Sequence, residues 1–374
     1  MLYFDNAATT YQRPECIYDA IYHAMKNFGN PSRAAHKFSL TADRTITNCR
    51  YALHHMFQNS SAQKVIFTNN ATTALNIAIQ SLNGHIITTA AEHNSVLRPI
   101  YAKNNYSILP CDDKGNLNLD MLASYLKPNT CAVVMTHASN VTGTVYDIEK
   151  VGVFCKENDL KLIIDGAGSA GALPINMEKN HISALCITGH KSLLGPQGTG
   201  ALLFNSGFFP LPIVVGGSGS FSFEKGMPSF YPGYLEAGTL NSHSIAGLLA
   251  GIEYIKTNTM ETISTKALKL TNYFYDKISK IKGITIYGDF SIKRKMPIIS
   301  LNIDSLDSSE VAYLLDKNYD IATRAGVHCA PLMHQALQTD KQGTVRFSFS
   351  QNNTFEEIDI AVKALEEIRS LKKI

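Results

Sequence analysis

Hydrophobic positions in the first two-thirds of the chain fall into short β-branched runs that alternate with longer stretches of helical periodicity. Lys64-Val65-Ile66-Phe67 leads into a helical pattern over 71–82, and His85-Ile86-Ile87 into one over 94–101. Tyr106-Ser107-Ile108-Leu109 precedes another over 119–126. Cys131-Ala132-Val133-Val134-Met135 follows, then a helix-like 148–157 and a strand over 160–165. Strands alternating with helices of this length need crossover connections, which predicts an α/β fold with a mainly parallel sheet covered on both faces.

The pattern changes near residue 245. From 242 to about 282 it is helical, with Ile245, Leu248, Leu249, Ile252 and Ile255 at three- and four-residue steps. Strands are expected over 284–287, 297–303 and 344–349, with a helix over 308–315. Thr354-Phe355-Glu356-Glu357 is a capping box, and Ile358, Ala361, Val362, Leu365 and Ile368 then share one face. A smaller α+β domain is therefore expected, joined by a long helical segment.

Composition narrows the class. In 374 residues, 34 Lys+Arg against 31 Asp+Glu leave a net charge of +3, so no broad basic field points to nucleic acid. The hydrophobic share is 45% and the charged share 17%, too apolar for disorder and low in charge for a soluble globule, so a subunit interface is expected. Apolar runs break well before the roughly 18 residues a membrane span needs, and an acid at position 5 argues against a secretory signal. We expect a soluble, cytoplasmic protein. The 7 cysteines (Cys16, Cys49, Cys111, Cys131, Cys155, Cys186, Cys329) form no C-x-x-C pair, which disfavours disulfides and structural zinc.

The window from Ile187 through Gly200 holds Thr188-Gly189-His190-Lys191-Ser192 and a glycine-rich turn. Lys191 is either a solvated loop lysine or a Schiff-base lysine, its pKa lowered by burial among cations. Asp165 ends an apolar strand at the edge where open parallel sheets bind ligands, and is either a helix cap or a ring-nitrogen partner. The segment Thr68-Asn69-Asn70-Ala71-Thr72-Thr73 sets hydroxyls at a helix N-terminus, suited to capping or to an anion.

Taken together, Asp5-Asn6-Ala7-Ala8-Thr9, Gly29-Asn30-Pro31-Ser32, Ala71-Thr72, Glu92-His93 and Ser139-Asn140-Val141-Thr142-Gly143 resemble motifs of the cysteine desulfurase family. Asp165-Gly166-Ala167, Thr188-Gly189-His190-Lys191 and Arg324-Ala325-Gly326-Val327-His328-Cys329-Ala330 continue them in family order, from residue 3 to about 354. The family is a branch of the class V aminotransferases, which use pyridoxal 5'-phosphate. The resemblance implies a seven-stranded-type sheet in a large cofactor domain over 15–245, with 1–14 and 246–374 forming the small domain. It makes Lys191 the lysine that binds the cofactor covalently and moves the substrate's protons. Asp165 would then be the pyridine-nitrogen partner and His93 the imidazole on the ring face. Ala71, Thr72, Thr188 and His190 would cup the phosphate, and Asn140 would lie near the phenolic oxygen. Arg346 would grip the carboxylate of L-cysteine beside Asn6, Ala7 and Asn30. Thr239, in Glu236-Ala237-Gly238-Thr239, would reach the phosphate of the neighbouring subunit in a homodimer.

Cys329 sets the reaction class. The other six cysteines read as packing residues, whereas Cys329 lies beside His328 and near Arg324, where cations favour thiolate. The implied reaction passes the substrate's sulfur to Cys329 as a persulfide, releases alanine, and hands the sulfur to an acceptor protein, as in iron–sulfur cluster assembly. One departure stands out: Gly168 occupies the position where the family usually carries Gln or His, a loss that Ser169 or Asn140 would have to make good. Alternatives at this stage are selenocysteine lyase, another class V reaction, and a sulfur carrier or scaffold without cofactor.

Overall fold

The computed structural model describes residues 1–31, 35–292 and 295–371, so Ser32 of the Gly29-Asn30-Pro31-Ser32 motif lies outside the described residues. From the N-terminus, β1 (Leu2–Tyr3) precedes two helices, α1 (Glu15–Asn27) and α2 (Lys37–Phe57). Next come β2 (Val65–Thr68), α3 (Ala71–Gln80), β3 (His85–Thr89), α4 (Asn94–Lys103), β4 (Tyr106–Leu109) and β5 (Thr130–Thr136). The first body closes with α5 (Ile148–Glu157), β6 (Lys161–Asp165), β7 (Ala184–Thr188) and β8 (Gly200–Phe204).

Seven of these strands make one sheet in the order β2-β8-β7-β6-β5-β3-β4. It is parallel except at β8, which runs antiparallel to both β2 and β7. β3, β7 and β8 are buried at every position, as helices on both faces require. Because β7 and β8 are antiparallel neighbours, the chain returns between Thr188 and Gly200 by a loop, without a crossover helix. The α/β expectation with its mainly parallel seven-stranded sheet holds. β7 and β8 themselves were masked in the sequence by the glycines and polar residues of the Lys191 window.

The helical stretch expected over 242–282 is two helices, α6 (Ser242–Asn258) and α7 (Met260–Ile278). Thr259 separates them with φ +59°, and its hydroxyl accepts the Thr262 N–H at 3.2 Å. A threonine N-cap thus restarts a helix inside an unbroken hydrophobic period. The second body then adds β9 (Ile284–Tyr287), β10 (Ile298–Ile303), α8 (Ser308–Tyr319), β11 (Ile321–Ala322), α9 (Pro331–Ala336), β12 (Val345–Ser348) and α10 (Phe355–Leu371). Its antiparallel sheet runs β12-β10-β9, while β1 pairs in parallel with β11. Phe4 is fully buried among Phe274, Phe347 and Phe349, so the N-terminus packs in the same core as α7 and β12. The segment expected as a helix over 119–126 is a 3-10 helix, Leu119–Tyr125.

Candidate active site

The carboxyl ends of β2, β3, β5, β6 and β7 meet the start of β8 at one edge of the sheet, where open α/β sheets bind ligands. Gly200 permits the convergence, because a Cβ there would come within 2.7 Å of the Asn70 Cα and of the Ile187 carbonyl oxygen. A cavity of about 250 Å³ opens at this edge. Ala71, Thr72, His93, Asn140, Asp165, Thr188, His190, Lys191, Arg346 and Ala7 line it, together with Cys329, Arg324 and His328 from the second body.

Burial sets the charges here. Burial, with Arg346 close by, pulls the Lys191 ammonium below the ordinary lysine value, against the pull of Asp165 in the other direction. Burial raises Asp165, opposed by the Ala167 N–H that its Oδ1 accepts at 2.9 Å and by Lys191. The lowered amine suits a reactive lysine, whereas burial makes Asp165 harder to ionise unless a positive charge faces it. Burial, then Lys191, pushes His93 down to about 4 and His190 to about 4, so both imidazoles are neutral near pH 7. His93 caps α4: its Nδ1 accepts the Ser95 N–H at 3.0 Å, which leaves the ring proton on Nε2.

Ser95 Oγ also lies 2.7 Å from Thr72 Oγ1, linking His93 to the first turn of α3. Ala71 and Thr72 belong to that turn, whose amides a helix cannot satisfy internally. His190 Nδ1 meets Thr9 Oγ1 at 3.1 Å. Behind His93, Glu92 is fully buried; its Oε1 accepts the Thr136 N–H at 3.0 Å and burial pushes it up to about 8. Sequence reading gave Ser95 no role, since a serine two residues after a histidine carries no signal of its own.

Arg346 is 3% exposed, and its Nη1 donates to the Asn140 carbonyl at 3.0 Å. Its Nη2 pairs with Asp5 at 3.1 Å, while its Nε has no hydrogen-bond partner. A buried guanidinium that lines a cavity suits a carboxylate ligand. Asp5, quoted in a motif but assigned no role, is thus the group that holds Arg346, from 341 residues away.

Cys329 is exposed, and its carbonyl accepts the Asn94 N–H at 2.7 Å. The expected cationic His328 is corrected by the fold. Burial, then Arg346, drives His328 down to about 3, so the ring is neutral and gives the thiol no charge. Arg324, at 3.7 Å from Asp5, remains the cation on this loop. A second correction concerns Cys16, which is exposed on α1 and is no packing residue.

Three expected site residues stand apart. Asn6 lines an adjoining apolar cavity that shares Ala7, Asn140, Gly168 and Lys191 with the first. Asn30 and Thr239 line a separate groove with Arg50 and Glu236. That groove is built on a buried ion pair: Glu236 takes Arg50 Nη1 at 2.8 Å and the Phe67 N–H at 2.7 Å. Removing one partner of such a pair costs about 3–5 kcal/mol. The residues suggested to make good Gly168 are otherwise engaged. Ser169 Oγ meets His137 Nδ1 at 3.0 Å, and the Asn140 amide donates to the His328 carbonyl at 2.7 Å.

The donor set fits pyridoxal phosphate: a buried amine, an opposed carboxylate, a neutral imidazole, and a helix N-terminus with hydroxyls for the phosphate. Comparison with known proteins agrees. The aminotransferase class-V family model matches residues 2–360. The chain is 29% identical to a probable cysteine desulfurase of Methanothermobacter thermautotrophicus, over 99% of this chain and 95% of that protein. It is also 29% identical to a probable cysteine desulfurase of Pyrococcus abyssi, over 100% and 95%. The apo structure of a cysteine desulfurase from Thermococcus onnurineus NA1 superposes with a TM-score of 0.90 at 29% identity, covering 99% of this chain and 94% of that one.

Proposed function

The chain belongs to the class V aminotransferase family, and from that premise we infer that it is a pyridoxal-phosphate-dependent cysteine desulfurase, converting L-cysteine to L-alanine and taking the sulfur on Cys329. The observation that carries this reading is the shared cavity. Cys329, from the second body, lines the same space as Lys191, Asp165 and His93, from strand ends of the first.

Bound to Lys191, the cofactor supplies an electron sink for the pair left when the substrate's Cα–H bond breaks. Asp165 would keep the pyridine nitrogen protonated, and His93, neutral, would cover the ring face. Ala71, Thr72, Thr188 and His190 would hold the phosphate, with Asn140 on the side of the phenolic oxygen. Arg346 would orient the substrate carboxylate, with Ala7 in the same cavity and Asn6 in the adjoining one, while Asn30 lines the separate Arg50–Glu236 groove. The Lys191 amine, uncharged more readily for its burial, takes the α-proton and later returns a proton to the carbon skeleton. The Cys329 thiolate attacks the substrate sulfur: the S–S bond forms as the C–S bond breaks, and alanine leaves once its carbons are reprotonated.

The exposed position of Cys329 supports delivery of the sulfur to an acceptor protein, with iron–sulfur cluster assembly as a consumer. A homodimer is supported by a run of exposed apolar residues, Phe209, Val214, Val215, Phe221 and Phe223, on the segment leading to Thr239. In that dimer Thr239 would complete the partner's phosphate site. Among the described residues no helix is long and apolar enough to cross a membrane. All 7 cysteines are free, which fits a reducing, cytoplasmic setting.

Purified protein given L-cysteine and a thiol reductant should release alanine and sulfide in equal amounts. Cys329→Ala should keep the visible absorption of the cofactor and lose both products; undiminished turnover in that variant would sink the assignment.

A further inference from the structure

Two buried imidazoles stand behind the Cys329 loop, and the chemistry above uses neither. His328 Nε2 lies 3.1 Å from the Arg324 carbonyl. A carbonyl only accepts, so Nε2 carries the proton and Nδ1 is bare. His334 Nε2, 3.4 Å from that Nδ1, must then be the donor. This leaves His334 Nδ1 bare to accept the Thr339 hydroxyl at 2.7 Å, a closer partner than the His334 carbonyl, which the same hydroxyl reaches at 3.4 Å. Burial keeps both rings neutral, drawing His328 down to about 3 and His334 to about 4, so the assignment holds at neutral pH. One line of donation therefore runs from Thr339 through His334 and His328 to the carbonyl of Arg324, and the two rings stack with centroids 5.6 Å apart.

The loop needs such a support. His328 and Cys329 have φ +49° and +56°, two successive left-handed residues that both carry side chains, a conformation such residues rarely adopt. Backbone ties hold the two carbonyls: Asn140 donates to His328 and the Asn94 amide to Cys329, each at 2.7 Å. The ring of residue 328 is held by the relay, whose far end rests on α9 and Thr339.

We propose that His334 and Thr339 are positioning residues for the Cys329 thiol, acting through His328 to hold the left-handed turn that presents Sγ to the cavity. The persulfide and steady-state measurements below rest on the desulfurase reading; the exchange measurement does not. His334→Leu, Thr339→Val and His334→Gln would be compared with the wild type as cofactor-loaded proteins. The readouts are backbone hydrogen exchange over 328–330, single-turnover persulfide formation on Cys329, and steady-state KM and kcat. In the Leu and Val variants exchange should quicken about tenfold, and kcat should fall about tenfold or more, with KM for cysteine within about twofold, as expected when a reacting group is misplaced. Gln at 334 can donate to His328 and accept from Thr339, and should restore most of both. Unchanged exchange, faster exchange with persulfide formation at the wild-type rate, or a Gln variant as impaired as Leu would each overturn the proposal. Thr339→Val nearly preserves volume and carries the comparison should His334→Leu fail to fold. A wild type that makes no alanine from cysteine would refute the functional reading instead, and the exchange measurement would still decide the relay.

Discussion

The two walls of the cavity are built on different principles. Asp165 ends β6, Lys191 follows β7 in its loop and His93 follows β3 as the cap of α4, and burial dictates the charge of all three. The opposite wall is the Cys329 loop, with successive positive φ angles, an exposed thiol and a position set by side-chain ties. One wall needs fixed geometry and shifted pKa values for proton transfer. The other meets both the cavity and solvent, as the proposed transfer of sulfur through Cys329 would require.

Lys191→Ala tests the first wall at its strongest point. Activity should fall by about 10³-fold or more, in line with loss of a general acid and base, and the visible absorption due to the lysine-bound cofactor should vanish. The contrast with Cys329→Ala, which should keep that absorption, is the sharpest check on the division. If both variants lose it, the two walls are not independent.

Arg346→Lys comes next, at the seam between the walls. Lysine keeps the charge but loses the planar fork that Asp5 and the Asn140 carbonyl orient. KM for cysteine should rise about tenfold to a hundredfold, the size expected for lost hydrogen bonds to a charged group, with a smaller change in kcat. A fall in kcat at constant KM in steady-state kinetics would move Arg346 from substrate binding to the chemical step.

The smallest effect is the pH dependence of stability. His93, His190 and His334 are lowered to about 4 and His328 to about 3, so between these values and the ordinary 6.5 the unfolded chain binds more protons than the folded one. Their contribution is complete above pH 6.5 and is lost as pH falls through the folded values. Glu92 has the opposite sign. Raised to about 8 from 4.5, it holds a proton in the folded state that the unfolded chain releases, so stability declines as pH rises across that interval. Thermal melts of the cofactor-free protein should show the acid flank in both wild type and Glu92→Gln, and a flatter neutral-to-alkaline flank in the variant. Superimposable profiles would mean that Glu92 is ionised in the fold.

Much of the first wall was legible in the sequence because strand ends are local. An apolar run ending in Asp165, and a Thr-Gly-His-Lys turn, reveal themselves within a few residues. The break at Thr259 was hidden because its cap lies within a continuous helical period. The neutrality of His328 was hidden for a different reason, since a histidine beside a cysteine reads as a cation until burial is known. Asp5 and Ser95 act through partners distant in sequence, which no local pattern shows.

By itself the sequence determined the alternation of strands and helices and the carboxylate at a strand end, because these depend on side-chain type and on periods of two to four residues; Lys191 and Cys329 stood out only through the resemblance of their motifs to a known family. Only the tertiary structure decided which groups are charged and which face each other. Protonation follows from burial, and the meeting of Cys329 with Lys191 follows from the packing of two bodies whose contributing segments lie far apart along the chain.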